Sequence, residues 1–469
     1  TVVDDTTIAS EITSENYNLC TTLVTNMNSL FIGNSFDYDI GFWDTSNVTD
    51  MSRLFQSASN FNQDIGSWNV SSVSDMSIMF LGASSFNQNI GSWDVSNVTN
   101  MDSMFTSASD FNNGESNSIN DWDVSSVINM NSMFYRCPAF NQNIGSWDTS
   151  SVTNMNSMFK EASIFDQNIG SWEVSNVTNM NDMFNSASTF NNGNSADIKN
   201  WNTSSLTTMS YMFSSASVFD QNIGSWNVSN VTDMERIFYN ASDFNNGGSA
   251  DINNWNTSNV PSMEFLFAGA ISFNQNIGSW DVSNVTNMNG MFNNASTFDQ
   301  DLSNWCVANI TVDPSTFSSS SALADDNNPD WGNCPGSLSL ALTDTDSDDI
   351  VFNTDVVTIT ATFSESMAAT PTLSLSGITS NALMSATATA SIWTYTWTVS
   401  TTVTSTTATV SGTDLSGNAY AGTDSITFAI DNTAPTVTLT DTDSDNIVSN
   451  SDVVTITATF SESMAATPT

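Results

Sequence analysis

Between residues 43 and 305 the apolar positions recur with a fixed period, marked by Trp43, Trp68, Trp93, Trp122, Trp147, Trp172, Trp201, Trp226, Trp255, Trp280 and Trp305. Eleven marks bound ten units, seven of 25 residues and three of 29. With each Trp as position 1, position 9 is Met and positions 13 and 19 are Phe in all ten units. Position 16 is Ala in nine of them and Cys137 in the fourth, which reads as a small buried residue in a core column. In the unit that opens at Trp93, Met101, Met104, Phe105 and Ala108 follow at the spacing of one helical face. Position 8 is Asp, Asn, Thr or Ser throughout, from Asp50 to Asn287, and all four are good N-caps. The pattern therefore predicts a helix of about two turns in each unit. In "GSWDV" (Gly91–Val95), Trp93 and Val95 alternate with Ser92 and Asp94, which predicts a short strand.

One unit cannot bury its own Trp, Val, Met and Phe, whereas stacked units can, so the repetition itself supplies the core. The three long units carry their four extra residues at one point ("FNNGESNSINDW", "FNNGNSADIKNW", "FNNGGSADINNW"), as loops on one face. Near Gly336 the composition shifts to Thr/Val/Ser alternation: "VVTITATF", "SIWTYTWTVS", "TATVSG" and "SITFAI" read as short strands of a β-sandwich. "DTDSDDIVFNTDVVTITATFSESMAATPT" from Asp344 returns from Asp441 as "DTDSDNIVSNSDVVTITATFSESMAATPT", 97 residues later.

The repeat "W-D-V-S-N-V-T-N-M-x-x-M-F-x-x-A-x-x-F-N-Q" resembles the BspA-like leucine-rich repeats of bacterial surface proteins, in a Trp/Met/Phe-rich variant. The resemblance covers roughly Leu19 to Trp305, with a degenerate first unit, "VTNMNSLF". "GTDLSGNA" and "DNTAPTVTLT" resemble signatures of bacterial Ig-like domains strung in tandem in large adhesins. The expected fold class is a right-handed, leucine-rich-repeat-like α/β solenoid with one short strand and one short helix per repeat, followed by an all-β Ig-like sandwich. At about 4.8 Å per rung, eleven or twelve rungs would extend roughly 55 Å. The expected domains are the solenoid over 1–336, with an N-terminal cap and a Cys-containing C-terminal cap, an Ig-like sandwich over 337–434, and the start of a second over 435–469. Thr1 is not Met, and no apolar signal segment opens the chain, so it reads as a processed or excerpted region of a larger parent with further Ig-like repeats.

Composition narrows the partners. Forty-nine Asp and Glu stand against 5 Lys and Arg, a net charge of −44 with no histidine. Such a polyanion repels nucleic acid. No run of 18 apolar residues offers a membrane span. Without His, Ser-His and Cys-His nucleophile systems and His-ligated zinc are excluded, and no enzyme is expected. Scarce Lys fits an extracellular or cell-surface protein in salty water, where self-repulsion is screened. What the resemblance implies is adhesion or recognition, with a glycan or cell-surface protein as partner. The alternative is a filament or surface-layer component that self-assembles.

Candidate site residues follow. Asp344, Asp346, Asp348 and Asp349 crowd one loop, and Asp431, Asp441, Asp443 and Asp445 the next junction. Close carboxylates repel unless a cation sits among them, which points to structural Ca²⁺ rather than a solvated turn. At position 2, Asp94, Asp123, Asp148 and Glu173 succeed one another on neighbouring rungs. This column reads either as salt-screened surface or as a cation-linked ligand strip. Cys306 and Cys334 lie just past the last Trp, where an open end needs closing, and are expected to form a disulfide. The N-V-T sequons at Asn47, Asn97, Asn176, Asn230 and Asn284 share one repeat position and read as Asn/Thr ladders rather than glycan sites.

Overall fold

The computed structural model describes residues 1–33, 35–334, 338–400, 403–414, 419–420, 422–445 and 447–461. The chain divides into two compact units, Thr1–Pro335 and Gly336–Thr469. The expected boundary at Gly336 and Ser337, half of "GTDLSGNA" (415–418) and the tail of the second copy (462–469) lie outside the described residues.

The first unit opens with β1 (Val2–Asp4), α1 (Ile8–Thr13) and β2 (Cys20–Leu23), with β1 and β2 paired in parallel. Val3, Ile8, Ile12 and Leu19 join the core that the repeats then continue. From there the α/β solenoid expectation fails. α1 is the one α-helix among the described residues, and no repeat contains a helix–strand unit. Each is a run of turns touched by isolated parallel bridges, with two short 3-10 helices added in the insertion of each long repeat, and regular β-structure in quantity appears only in the second unit.

The central repeat, from Trp147, gives the physical reason. Met155, Ser157, Phe159 and Glu161 donate their backbone N–H groups to Asn179, Asn181, Met183 and Asn185 of the next repeat, at 2.7–3.0 Å. The residues between them turn inward along the chain: Met158 N–H donates to Met155 O, Lys160 to Ser157 O and Ala162 to Phe159 O. An α-helix would send each N–H four residues back; here alternate groups leave the repeat altogether. The alternation needs left-handed residues at positions 11 and 15, where φ is 56° at Ser157 and 59° at Glu161, with the same sign in every unit. Left-handed backbone cannot continue a right-handed helix. Successive three-residue turns still bring Met155, Met158, Phe159, Ala162 and Phe165 inside with no exposure. Their spacing of three and four is what mimics a helical face. "GSWDV" likewise forms no strand: the Trp N–H closes a turn on Ile three residues back, as Trp172 does on Ile169 O at 3.0 Å.

The core columns are ladders of rings. Phe159 stacks on Phe165 of its own repeat at 4.0 Å and on Phe134 and Phe184 of its neighbours at 5.6 and 5.7 Å. Tryptophan does what phenylalanine could not, because its indole N–H needs a partner when buried. Trp147 Nε1 donates to Ile119 O at 3.0 Å, and from Trp68 to Trp305 each indole uses the matching Ile carbonyl one repeat back. The glycine of "IGSW" admits the neighbouring backbone: a Cβ on Gly145 would sit 2.6 Å from Asn168 O. At the far end Val307, Ile310, Phe317 and Leu323 finish the core.

The second unit has two sheets around one core. The first runs β3 (Leu340–Asp344), β5 (Val356–Phe363), β9 (Ile392–Thr398) and β8 (Ser385–Ala386), all antiparallel. The second runs β4 (Ile350–Phe352), β11 (Ser425–Asp431), β10 (Ser405–Ser411), β6 (Thr372–Leu375) and β7 (Thr379–Leu383), with only β4 and β11 parallel. Alternation puts Val357, Ile359, Ala361 and Phe363 of β5 inside, against Leu373, Ala408 and Phe428 of the other sheet. A further antiparallel pair, β12 (Val437–Asp441) and β13 (Ile456–Phe460), repeats the β3–β5 pairing.

Candidate recognition site

Polar residues of the repeat mostly bind one another. Position 20 is Asn or Asp, and its side-chain oxygen accepts the backbone N–H of position 20 in the next repeat, as Asn141 Oδ1 does from Asp166 N at 2.9 Å. The Gln that follows adds a second bond, Gln167 Nε2 to Asn141 Oδ1 at 2.9 Å. The sequon asparagines are held in the same way: Asn97 Nδ2 donates to Ser71 O, and Asn176 Nδ2 to Ser150 O, at 2.8 and 2.7 Å. Position 8 does not cap a helix. Its side chain takes the N–H two residues on, as Asn154 Oδ1 does from Asn156 N at 3.1 Å.

The long repeats open their insertion with three consecutive left-handed residues, such as Asn192, Gly193 and Asn194. Asn192 is fully buried: its Oδ1 accepts from Ile169 N, and its Nδ2 donates to Asp197 Oδ1 at 2.9 Å. Burial raises the Asp197 carboxyl, but hydrogen bonds from Asn168, Ser195 and Asn192 outweigh it and hold it below its ordinary value. Asp251 is held down by the equivalent groups.

The acidic strip lies on neighbouring repeats, but each member is engaged locally. Asp94, Asp123, Asp148 and Glu173 accept the backbone N–H of Ser96, Ser125, Ser150 and Ser175 at 3.0–3.2 Å. The Ser96 and Ser150 side chains, with those N–H bonds, lower the Asp94 and Asp148 carboxyls. The acidic loops of the second unit behave alike. Asp344, Asp346 and Asp348 accept N–H bonds from Asp346, Asp348 and Ile350 at 2.8–3.2 Å. Asp441, Asp443 and Asp445 accept from Asp443, Asp445 and Ile447, and Asp431 from Thr433. Asp349 has φ 60° beside them. Burial, then Asp349 and Asp346, push the Asp344 carboxyl up, against the N–H bond from Asp346. No group of three or more carboxylates placed to hold a metal ion occurs among the described residues. Cys306 and Cys334 are joined as a disulfide; Cys137 is buried, and burial pushes its thiol up.

The site that sequence reasoning missed lies at position 11. Ser103, Ser132, Ser157 and Asp182 occupy this column through the middle repeats, and then Tyr211, Arg236 and Phe265 follow in succession. All three have left-handed φ, of 57°, 56° and 52°. A bulky side chain in that region is an outlier that surrounding structure must hold in place. The Arg236 guanidinium lies between two rings, 5.4 Å from the Tyr211 centroid and 5.0 Å from that of Phe265. It donates to the Tyr211 hydroxyl and pairs with Glu264 at 3.8 Å. Tyr239 meets Phe265 edge-on, centroids 6.2 Å apart. The next residue in the column is Gly290, where a Cβ would sit 2.3 Å from Phe265 Cε1; its absence makes room for the ring. Together Asn185, Tyr211, Ser214, Arg236, Tyr239 and Phe265 line an open concavity of about 390 Å³.

The bridge ladder is also altered here. Bridges run without a gap from Asn26 to Asp233 and resume between Ser262 and Asn287. Pro261 stands where most repeats have Thr and has no N–H to extend the neighbouring Thr ladder. Both signals, three large residues in succession after Ser103, Ser132, Ser157 and Asp182 and a proline in a Thr column, were present in the sequence.

The model of a family described as "Mycoplasma protein of unknown function, DUF285" matches residues 4–117, 113–197, 193–250 and 247–334. No curated protein matches the chain, and no solved structure does.

Proposed function

Since the chain belongs to the DUF285 family, whose description leaves function open, we propose from its surfaces that it is a non-enzymatic recognition module displayed outside the cell. The observation that carries this reading is the Tyr211–Arg236–Phe265 concavity. Three large side chains, Tyr211, Arg236 and Phe265, follow one another in left-handed backbone and form one cluster, whereas the column's other large residues, Arg53 and Ile78, are followed by Ser103, Ser132, Ser157 and Asp182. Strain retained at an exposed cluster has a rationale in binding and none in the core, which the Phe, Met and Trp columns already fill. Half-buried aromatic and arginine side chains are the residue types that anchor binding interfaces. The strongly acidic surface keeps nucleic acid away and suits a screened, salty medium.

The test is adhesion of the full chain, coated on beads, to cells and to purified cell-surface glycoconjugates, beside sedimentation of the free chain. Retention that Tyr211→Ser weakens supports recognition. Assembly into filaments with no retention would transfer the chain to the structural class.

A further inference from the structure

We infer that the concavity lined by Tyr211, Arg236, Tyr239 and Phe265 binds an uncharged pyranose unit of a carbohydrate. The inference rests on the recognition reading and names the chemistry of its ligand.

Size comes first. About 390 Å³ lies near the lower end of small-ligand sites, which span roughly 300–1,000 Å³. A single sugar ring suits that volume better than a folded protein surface does. Shape comes second. Tyr239 and Phe265 stand at 85° to each other, so they present one ring face and one ring edge. An aromatic face is electron-rich. The apolar C–H face of a pyranose is its natural complement, and the sugar's hydroxyls then project sideways toward polar groups. Arg236 is one such group. A guanidinium has five N–H donors in a planar fork, more than its bonds to the Tyr211 hydroxyl and Glu264 require.

Charge decides the class. Glu264 lies 3.8 Å from Arg236, and Glu235, which accepts from Ser262 Oγ at 2.6 Å, flanks the same guanidinium. One cation between two carboxylates leaves the site with no surplus positive charge, on a chain of net −44. A uronate or sialate would enter against that field. A cationic ligand would enter against Arg236, which already occupies the space between the two rings. An uncharged ligand meets neither repulsion.

The repeats supply their own controls. Ser occupies position 11 in three other units (Ser103, Ser132 and Ser157) with the same backbone. Phe265→Ser and Tyr211→Ser therefore restore a residue the fold already accepts, and both variants are expected to melt no lower than the parent.

The experiment is saturation-transfer NMR and titration calorimetry on the full chain with methyl hexopyranosides, neutral disaccharides, glucuronate and sialate. The expected result is transfer to the axial ring protons of at least one neutral glycoside, with affinity at least tenfold weaker in Phe265→Ser and in Tyr211→Ser. Binding confined to the acidic sugars overturns the inference, as does binding unchanged in both variants. Binding of a peptide library at these residues with no neutral sugar bound overturns it too. A chain that adheres to cells yet ignores every neutral glycoside loses this inference alone; a chain that does neither loses the recognition reading as well.

Discussion

Replacing Trp147 by Phe isolates the role of the indole ladder. Trp147 is 2% exposed, and its Nε1 donates to Ile119 O at 3.0 Å in a buried setting. Phenylalanine keeps an aromatic ring against Phe134, Trp122 and Trp172, whose centroids lie 6.1–6.4 Å away. It cannot donate, so Ile119 O loses its side-chain donor but keeps the Trp122 backbone N–H, and the lost bond costs about 0.5–1.5 kcal/mol. The missing second ring leaves a partly relaxed void and adds roughly 1–2 kcal/mol. The sum, about 1.5–3.5 kcal/mol, approaches the roughly 3–5 kcal/mol expected for Phe159→Ala, which removes a whole stacked ring but no polar group. Urea melts followed by near-ultraviolet circular dichroism give both values, and a lowered midpoint at unchanged slope reports stability alone. The ladder argument predicts that Trp147→Phe costs far more than a volume change of one small ring would. A cost below about 1 kcal/mol, the level of a tolerated hydrophobic swap, would mean that the indole bonds contribute nothing and that Trp is present only for its size.

Gly145→Ala places a Cβ 2.6 Å from Asn168 O; the backbone must shift, and melts are expected to show a loss of about 1–3 kcal/mol. Asp197 is held below its ordinary value near 3.8 in the folded state. Its contribution is therefore complete above that value and is lost as pH falls through the lower folded value. Stability against pH is expected to fall less steeply below pH 3.8 in Asp197→Asn than in the parent, and equal slopes would refute the Asn168–Asn192 account. If the crowded carboxylates of the second unit take structural Ca²⁺, millimolar Ca²⁺ is expected to raise the calorimetric melting temperature of the full chain above that in EGTA, and identical values would leave the loops as solvated turns. A clear rise with Ca²⁺ would show the carboxylates regrouping around the ion. Reducing Cys306–Cys334, which closes 28 residues, is expected to lower stability by roughly 2–4 kcal/mol, read by melts with and without reductant.

The chain's own pattern determined what is inside. Burial acts residue by residue, so the Trp, Met and Phe columns, with Cys137 in the Ala column, could be read directly from their recurrence. The strands of the second unit were legible for the same reason, since Val356–Phe363 alternates on a two-residue period. The backbone path within each repeat could not be read. A spacing of three and four residues fits both an α-helix and consecutive tight turns, and the choice depends on where each N–H finds its acceptor. For Met155 and Phe159 that acceptor is 24 residues ahead, at Asn179 and Met183, present only once the next repeat is in place. The Ser, Asn, Asp and Gly residues common at positions 11 and 15 were a local hint, because short polar residues and glycine tolerate left-handed backbone better than most. The carboxylates show the opposite limit. Their crowding at Asp344–Asp349 was visible, but whether they face one point or each bind a nearby N–H depends on torsions that composition does not specify. The aromatic concavity is tertiary in origin. Tyr211, Arg236 and Phe265 lie 25 and 29 residues apart along the chain, and only the lateral hydrogen bonds between repeats bring guanidinium and rings within about 5 Å of one another.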